Sequence, residues 1–257
     1  MQKLDRSEAP EQFLVMGTPV HLLKDYPGWL VDRVQHHTGG HVVTLNAEMA
    51  MQAETNDRLA RVIHQAELVI PDGAGIVLYL RLHGRKAQRC PGIELAEALL
   101  QQLGQNPGLG AAFFLGGAPG VAQQAATLWQ QRSPGLTIAG THHGYLTTEI
   151  EAALLQTLKE LQPALILVGL GVPRQEFWIA ENRHLCPNSV WIGVGGSFDI
   201  WSGTKTRAPG WLRNNNLEWV YRLYQEPWRW RRMLALPRFA WKSLVYRFSQ
   251  KYPLSSQ

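Results

Sequence analysis

None of the six aspartates in this sequence (Asp5, Asp25, Asp32, Asp57, Asp72 and Asp199) stands within two residues of another. A D-x-D pair of the kind that holds a divalent ion on a nucleotide diphosphate is therefore missing. The nine histidines include the neighbours His36-His37 and His142-His143, but there is no H-E-x-x-H spacing. Adjacent histidines point apart on any regular element, so no metal site is expected. Cysteine is scarce. Cys90 and Cys186 lie far apart without metal-ligand spacing, which argues against a disulfide framework and for a reducing compartment. Long apolar runs are missing too. The strongest, "ALILVGLGV", is far short of the roughly 20 residues that span a bilayer, and "MQKLDRSEAPEQF" offers no apolar leader. A soluble or peripheral protein is expected. There is no G-x-x-x-x-G-K-[ST], which sets aside a P-loop hydrolase. No G-x-G-x-x-G follows an early strand, which leaves a nicotinamide enzyme as a weak rival. No cofactor is expected.

What is present is a globular composition. Apolar residues make up 45% and charged residues 18% of 257 positions, enough for one large α/β domain with or without an appendage. Short apolar runs, "FLVM", "HVVTL", "ELVIP", "AAFFLGG", "LTIAG", "ALILVGLG" and "SVWIGVGG", read as strands. Amphipathic stretches between them, at 47–65, 93–103, 121–131, 148–161 and 175–184, read as helices. This βαβα order predicts an α/β fold, a mainly parallel sheet with helices on both faces. After "SFDIWSGTKTRAPGW" the character changes. Residues 1–208 form the expected core and 209–257 a basic helical C-terminal appendage. A helix is expected over 212–225, with Pro227 ending it or starting another and Pro237 interrupting again. From Lys205 to Lys251 there are 11 Lys or Arg against only Glu218 and Glu226, and eight of the ten tryptophans lie at or after Trp178. Interleaved Arg and Trp suit phosphates or an anionic membrane surface.

In an open α/β sheet, ligands gather beyond the C-terminal strand ends. Those ends here are polar or glycine-rich. They carry Thr44 and Asn46; Asp72; Gly116 and Gly117; Tyr145; Gly169, Gly171, Gln175 and Glu176; and Asp199. "FLGGAPGVA" can be a tight strand-to-helix turn or a phosphate cradle. Glu176 can complement a helix N-terminus, and Gln175 can hydrogen-bond a sugar hydroxyl or a uracil edge. Arg89 is a surface arginine or a phosphate clamp. Asp72, at the mouth of "ELVIPDGAG", reads either as a cap or turn residue or as a general base.

The ordered set "VTLNAEM", "ELVIPDGAGIV", "QRCPGIEL", "FFLGGAPGVA", "GYL", "LVGLGVPRQEFWI", "GVGGSFDIWSG", "RAPGW" and "LEWVYRLYQEPWRWRR" resembles the WecG/TagA/CpsF family of bacterial glycosyltransferases over about residues 15–232. The resemblance implies a Rossmann-like fold. It implies an inverting, metal-independent transfer from a UDP-sugar, N-acetylmannosamine or its uronic acid, to a polyprenyl-diphosphate-linked N-acetylglucosamine acceptor. It implies a peripheral position on the inner face of the bacterial plasma membrane, in cell-surface polysaccharide synthesis. It places the base on Asp72 and the T-x-N pair on Thr44 and Asn46. The family's substrate-binding arginine and the glutamine of its P-[KR]-Q-E motif fall on Arg89 and Gln175, and the appendage arginines on Arg222, Arg229 and Arg232.

An inverting transfer needs a base on the face opposite the leaving group, and a lone aspartate at a strand end meets that need. Desolvation would raise its pKa toward the working pH. Without a metal, arginines, glycine-loop amides or a helix N-terminus must stabilise the departing diphosphate. Spacings of seven and three would put Arg222, Arg229 and Arg232 on one helix face, provided Pro227 leaves the register intact. Two other classes stay open: a nucleotide-sugar-binding module without turnover, and, below it, a nucleic-acid binder using the basic tail, although no nucleic-acid partner is expected. The aromatic tail could also pack against a second subunit, giving a homo-oligomer.

Overall fold

The computed structural model describes residues 10–215 and 217–251, without the side chains of Asn214, Arg229 and residues 247–251. The described residues open with an antiparallel hairpin, β1 (Glu11–Val15) and β2 (Thr18–Leu22), that forms a sheet of its own and packs beside the main one. The apolar "FLVM" segment is thus a hairpin strand, not a member of the parallel layer. Its turn runs through Met16 and Gly17, both at positive φ.

Helix α1 (Tyr26–Gln35), which the sequence pattern did not single out, follows. Asp25 caps it by accepting from the Gly28 N–H at 2.8 Å. Then come β3 (Gly40–Leu45), α2 (Ala47–Ala53), α3 (Asp57–His64), β4 (Leu68–Pro71), α4 (Ala74–Leu82) and α5 (Gly92–Gln105). The single helix expected over 47–65 is two. Asn56 starts the second by accepting from the Leu59 N–H at 3.0 Å, a cap that competes with continuing the first helix. The remaining core elements are β5 (Ala112–Gly116), α6 (Val121–Arg132), β6 (Ile138–His142), α7 (Thr148–Leu161), β7 (Leu165–Gly169), α8 (Arg174–Asn182), β8 (Val190–Gly193) and α9 (Ser197–Trp201).

Six strands form one parallel sheet in the order β4-β3-β8-β7-β5-β6. β3, β4, β5 and β8 are buried along their whole length, which is why they read as apolar runs, broken only by His41 and Thr44 in β3, and not as alternation. One face packs on α1, α5, α6 and α9 around Leu99, Phe114 and Phe198. The other packs on α2, α3 and α4 around Met49, Leu59 and Ile76, and on α7 and α8 around Leu158 and Ile179. The chain steps outward from β3 to β4, crosses to β5 and β6, and returns inward to β7 and β8. That reversal opens a crevice at the C-terminal ends of the central strands.

Beyond the core run α10 (Gly210–Asn214), α11 (Glu218–Gln225), a 3-10 turn (Pro227–Arg229), α12 (Trp230–Met233) and α13 (Ala235–Lys251). The helix expected over 212–225 is divided at Asn215, and the turn at Pro227 separates α11 from α12. Pro237 does not interrupt. It sits in the first turn of α13, where its missing N–H would have no intrahelical partner. α13 packs on α2 and α4 through buried Phe239, 3% exposed. Among the described residues no helix is long and apolar enough to cross a membrane.

Candidate active site

The C-terminal ends of β4, β3, β8 and β7, covered by residues between Lys205 and Arg232, enclose a cleft of about 190 Å³. Asp72 follows β4 on its wall. Its N–H donates to the carbonyls of Leu45 and Ile70, both at 3.0 Å, so the backbone is tied to the end of β3. Its Oδ1 accepts from the Gly92 N–H, the first residue of α5, at 3.2 Å. Protein atoms crowd the carboxyl, and this burial pushes its pKa up to about 6. Arg222, the Gly92 N–H and Arg89 pull the other way, and Glu218 adds to the rise. Asp72 therefore changes charge close to neutrality, where a general base is most useful.

Thr44 and Asn46 line the same cleft from β3 and its end. Thr44 Oγ1 donates to the Gly193 carbonyl at 3.1 Å, and Asn46 caps α2 by accepting from the Met49 N–H at 2.9 Å. Gln175 also borders the cleft but is 1% exposed. Its Oε1 accepts from the N–H groups of Gly171 at 3.2 Å and Gly195 at 3.1 Å. Its Nε2 donates to Glu176 Oε1 at 2.9 Å. The amide thus staples the loops after β7 and β8 together. Glu176 lies beneath this layer, fully buried, and its Oε2 accepts from His41 Nε2 at 2.8 Å. Gly193 makes room for the arrangement: a Cβ there would come within 2.3 Å of Gln175 Nε2.

Four cationic side chains line the cleft: Lys205, Arg207, Arg222 and Arg232. Arg232 pairs with Glu48, and Arg207 is held by Glu94 at 2.6 Å, but Glu218 reaches three guanidiniums. It pairs with Arg222 at 3.2 Å, with Arg207 at 3.9 Å and with Arg89 at 3.7 Å. Arg89 is thereby drawn toward α11, although it is not itself a lining residue. Lys205 joins Asp199 at 2.9 Å to Glu226 at 3.0 Å. Burial works against its charge, but the two carboxylates hold its pKa above the usual lysine value. The two acids of the basic tail thus both anchor it to the site. Arg222 on α11 and Arg232 on α12 do not share one helix face, because the turn at Pro227 breaks the register. Arg229 lies in that turn, and its side chain is outside the described residues. Among the described residues, no three His, Cys, Asp or Glu side chains gather as a metal-binding group.

The structure does not bring every predicted residue into the cleft. Gly171 lines it, whereas Gly116, Gly117, Gly169 and Tyr145 do not. Gly116 meets a packing demand. Its φ is +146°, and a Cβ would come within 2.5 Å of the Gly169 carbonyl on β7. Tyr145 is exposed on the loop after β6. Asp199 reaches the cleft only through Lys205. Sequence reasoning missed Lys205, Arg207, Glu218 and Glu48 as lining residues. A signal existed for Glu218, one of just two acids in a strongly basic segment.

Comparison with known proteins places these residues in context. The model of the glycosyl transferase WecG/TagA/CpsF family matches residues 13–253. An N-acetylglucosaminyldiphosphoundecaprenol N-acetyl-beta-D-mannosaminyltransferase of Bacillus spizizenii is 37% identical over 207 residues, 80% of this chain and 79% of the relative. The protein of that name from Bacillus subtilis (strain 168) is 35% identical over 208 residues, 80% of each chain. The one from Staphylococcus aureus (strain MW2) is 36% identical over 202 residues, 78% of each.

Proposed function

The chain belongs to the glycosyl transferase WecG/TagA/CpsF family, and from that premise we propose that it moves N-acetylmannosamine or a related sugar from a UDP-sugar to a polyprenyl-diphosphate-linked N-acetylglucosamine. The names of its relatives support the acceptor and the sugar. The observation that carries the chemistry is Asp72: a carboxyl with a pKa of about 6 on the wall of a cleft lined by cations.

In the proposed reaction an acceptor hydroxyl attacks the anomeric carbon of the donor sugar. Asp72 takes the hydroxyl proton. The bond from the anomeric carbon to the UDP oxygen breaks, and its electron pair leaves with UDP. A base on the face opposite the leaving group gives inversion. The departing diphosphate gains negative charge, and Lys205, Arg207, Arg222 and Arg232 are fixed cations able to meet it. That supply of charge supports a metal-independent reaction.

The lipid-linked acceptor requires access to a membrane. Tyr224, Trp228 and Trp241 are 81%, 70% and 70% exposed among the arginines of the C-terminal helices. Aromatic side chains beside basic ones suit a bilayer interface with anionic lipids, which supports peripheral attachment at the inner face of the plasma membrane.

The test is UDP release in EDTA from a panel of UDP-sugars, with a short-chain lipid-diphosphate N-acetylglucosamine as acceptor. Acceptor-dependent release from one donor is expected. Release that needs added divalent ion, or donor binding with no transfer even on anionic liposomes, would overturn the reading.

A further inference from the structure

Two hollows meet at one ion pair. Glu48 and Arg232 line the cleft beside Asp72, and the same two residues line a groove of about 500 Å³ between α2 and helices α12 and α13. Arg232 Nε donates to Glu48 Oε1 at 2.5 Å, so the pair is the partition between them. The groove is built differently from the cleft. Its wall is mainly carbon, with Met51 from α2 and Ala235 and the Trp241 ring from α13. Its cations are only partly committed. Lys242 is paired with Glu54, whereas Arg231 and Arg238 have no carboxylate partner among the described residues. Arg231 instead lies over the Trp230 ring, 5.5 Å from its centroid.

We propose that this groove binds the isoprenoid diphosphate of the acceptor, an inference that rests on the transferase reading. The hydrocarbon chain lies along Met51, Ala235 and Trp241. The diphosphate is met by Arg231 and Arg238. The sugar it carries passes the Glu48–Arg232 pair and reaches Asp72. A carbon wall flanked by unpaired guanidiniums is complementary to a molecule that is apolar at one end and doubly phosphorylated beside it. A mere packing seam would cover Trp241, which is instead 70% exposed, and would pair its arginines. Continuity with the cleft supplies the direction. The donor diphosphate, for which Arg232 is one of the cations, can replace Glu48 as its partner and so open the partition that the acceptor sugar must cross.

The test uses the full chain and a benzophenone-bearing farnesyl-diphosphate-linked N-acetylglucosamine in detergent micelles, with crosslinked peptides located by mass spectrometry. Crosslinks within 48–55 or 231–242 are expected, and undecaprenyl diphosphate should compete them away far better than phosphatidylglycerol. Crosslinks elsewhere, none at all, or equal competition by phosphatidylglycerol would overturn the proposal. In parallel, Trp241→Ala, at an exposed position that touches only the hydrocarbon, should raise the KM for the lipid-linked acceptor about tenfold. The donor KM and the melting temperature should be unchanged, and a methyl-diphosphate N-acetylglucosamine acceptor should react equally with both proteins. An unchanged acceptor KM would also overturn it. Crosslinking needs no turnover. Labelling at the groove without transfer would refute the transferase reading, whereas transfer with labelling elsewhere would refute the groove alone.

Discussion

The N–H of Gly92 donates to Oδ1 of Asp72 at 3.2 Å, which sets the first residue of α5 against a carboxyl that burial is pushing toward its neutral form. The helix N-terminus steadies the anion, the surrounding protein opposes it, and burial wins. The result is a group that ionises near pH 6. Transfer should therefore show an acidic limb with an apparent pKa of about 6 in a profile of kcat/KM against pH. A flat profile from pH 5 to pH 8 would remove Asp72 from the role of base.

The same shift carries a stability cost with a definite sign. The folded pKa lies above the unfolded value of 3.8, so the fold prefers the neutral carboxyl. Its contribution is most favourable below pH 3.8 and is lost as pH rises through about 6. At neutral pH the loss is at most about 3 kcal/mol, at roughly 1.4 kcal/mol per pH unit. Asp72→Asn should abolish most transfer and retain UDP binding, while raising the melting temperature by a few degrees at pH 7.5. The gain should shrink toward pH 4. Differential scanning fluorimetry across that range, beside an activity assay, checks both halves.

Glu218 holds three guanidiniums and raises the pKa of Asp72. Glu218→Gln removes a negative charge near the base, and its acidic limb should move to lower pH. It also loosens Arg89 and Arg222, whereas Arg207 stays held by Glu94 at 2.6 Å, so the donor KM should change in the same variant. A limb that stays in place would mean that the Glu218 charge does not reach Asp72.

Much of this architecture was legible in the sequence. Buried parallel strands are mostly apolar along their length, so β3, β4, β5, β7 and β8 announce themselves, and the polar residues at or just after their ends mark the ligand edge. Helices of one to two turns carry too little periodicity to declare their breaks, which is why α2 and α3 read as one. Asp72, Thr44 and Asn46 were legible as cleft-lining residues because they sit at or just after the ends of strands. Glu218 and Lys205 were not, since they reach the cleft only when the tail folds back over it. Gly116 and Gly169 were ambiguous for a physical reason: a glycine for close strand packing and a glycine for a ligand look the same in a sequence.

Gln175 shows the same ambiguity in a polar residue. Its carbonyl oxygen takes two loop N–H groups, and its NH₂ serves Glu176. Gln175→Ala leaves all three without that partner and should destabilise by about 1–3 kcal/mol. Gln175→Glu keeps an acceptor for the loops but sets a second carboxylate against the buried one, so it should be the worse variant. Thermal unfolding ranks the two. A Gln175→Glu protein as stable as wild type would mean that the staple does not matter.

Beneath the cleft, His41 and Glu176 form a buried pair on which the Gln175 staple rests. Removing one partner strands the other in a dry interior, whereas removing both removes the desolvation problem with the interaction. His41→Leu alone should cost about 1–3 kcal/mol, because the buried Glu176 Oε2 is left without that hydrogen-bond donor. The double variant His41→Leu/Glu176→Met should recover a large part of that loss. Chemical denaturation of the wild type, both single variants and the double variant closes the cycle. Additive losses would show two independent packing residues. A strong positive coupling would show that the His41–Glu176 hydrogen bond locks β3 to the first turn of α8, the turn that carries Gln175, and so fixes the glycine loops on which the cleft is built.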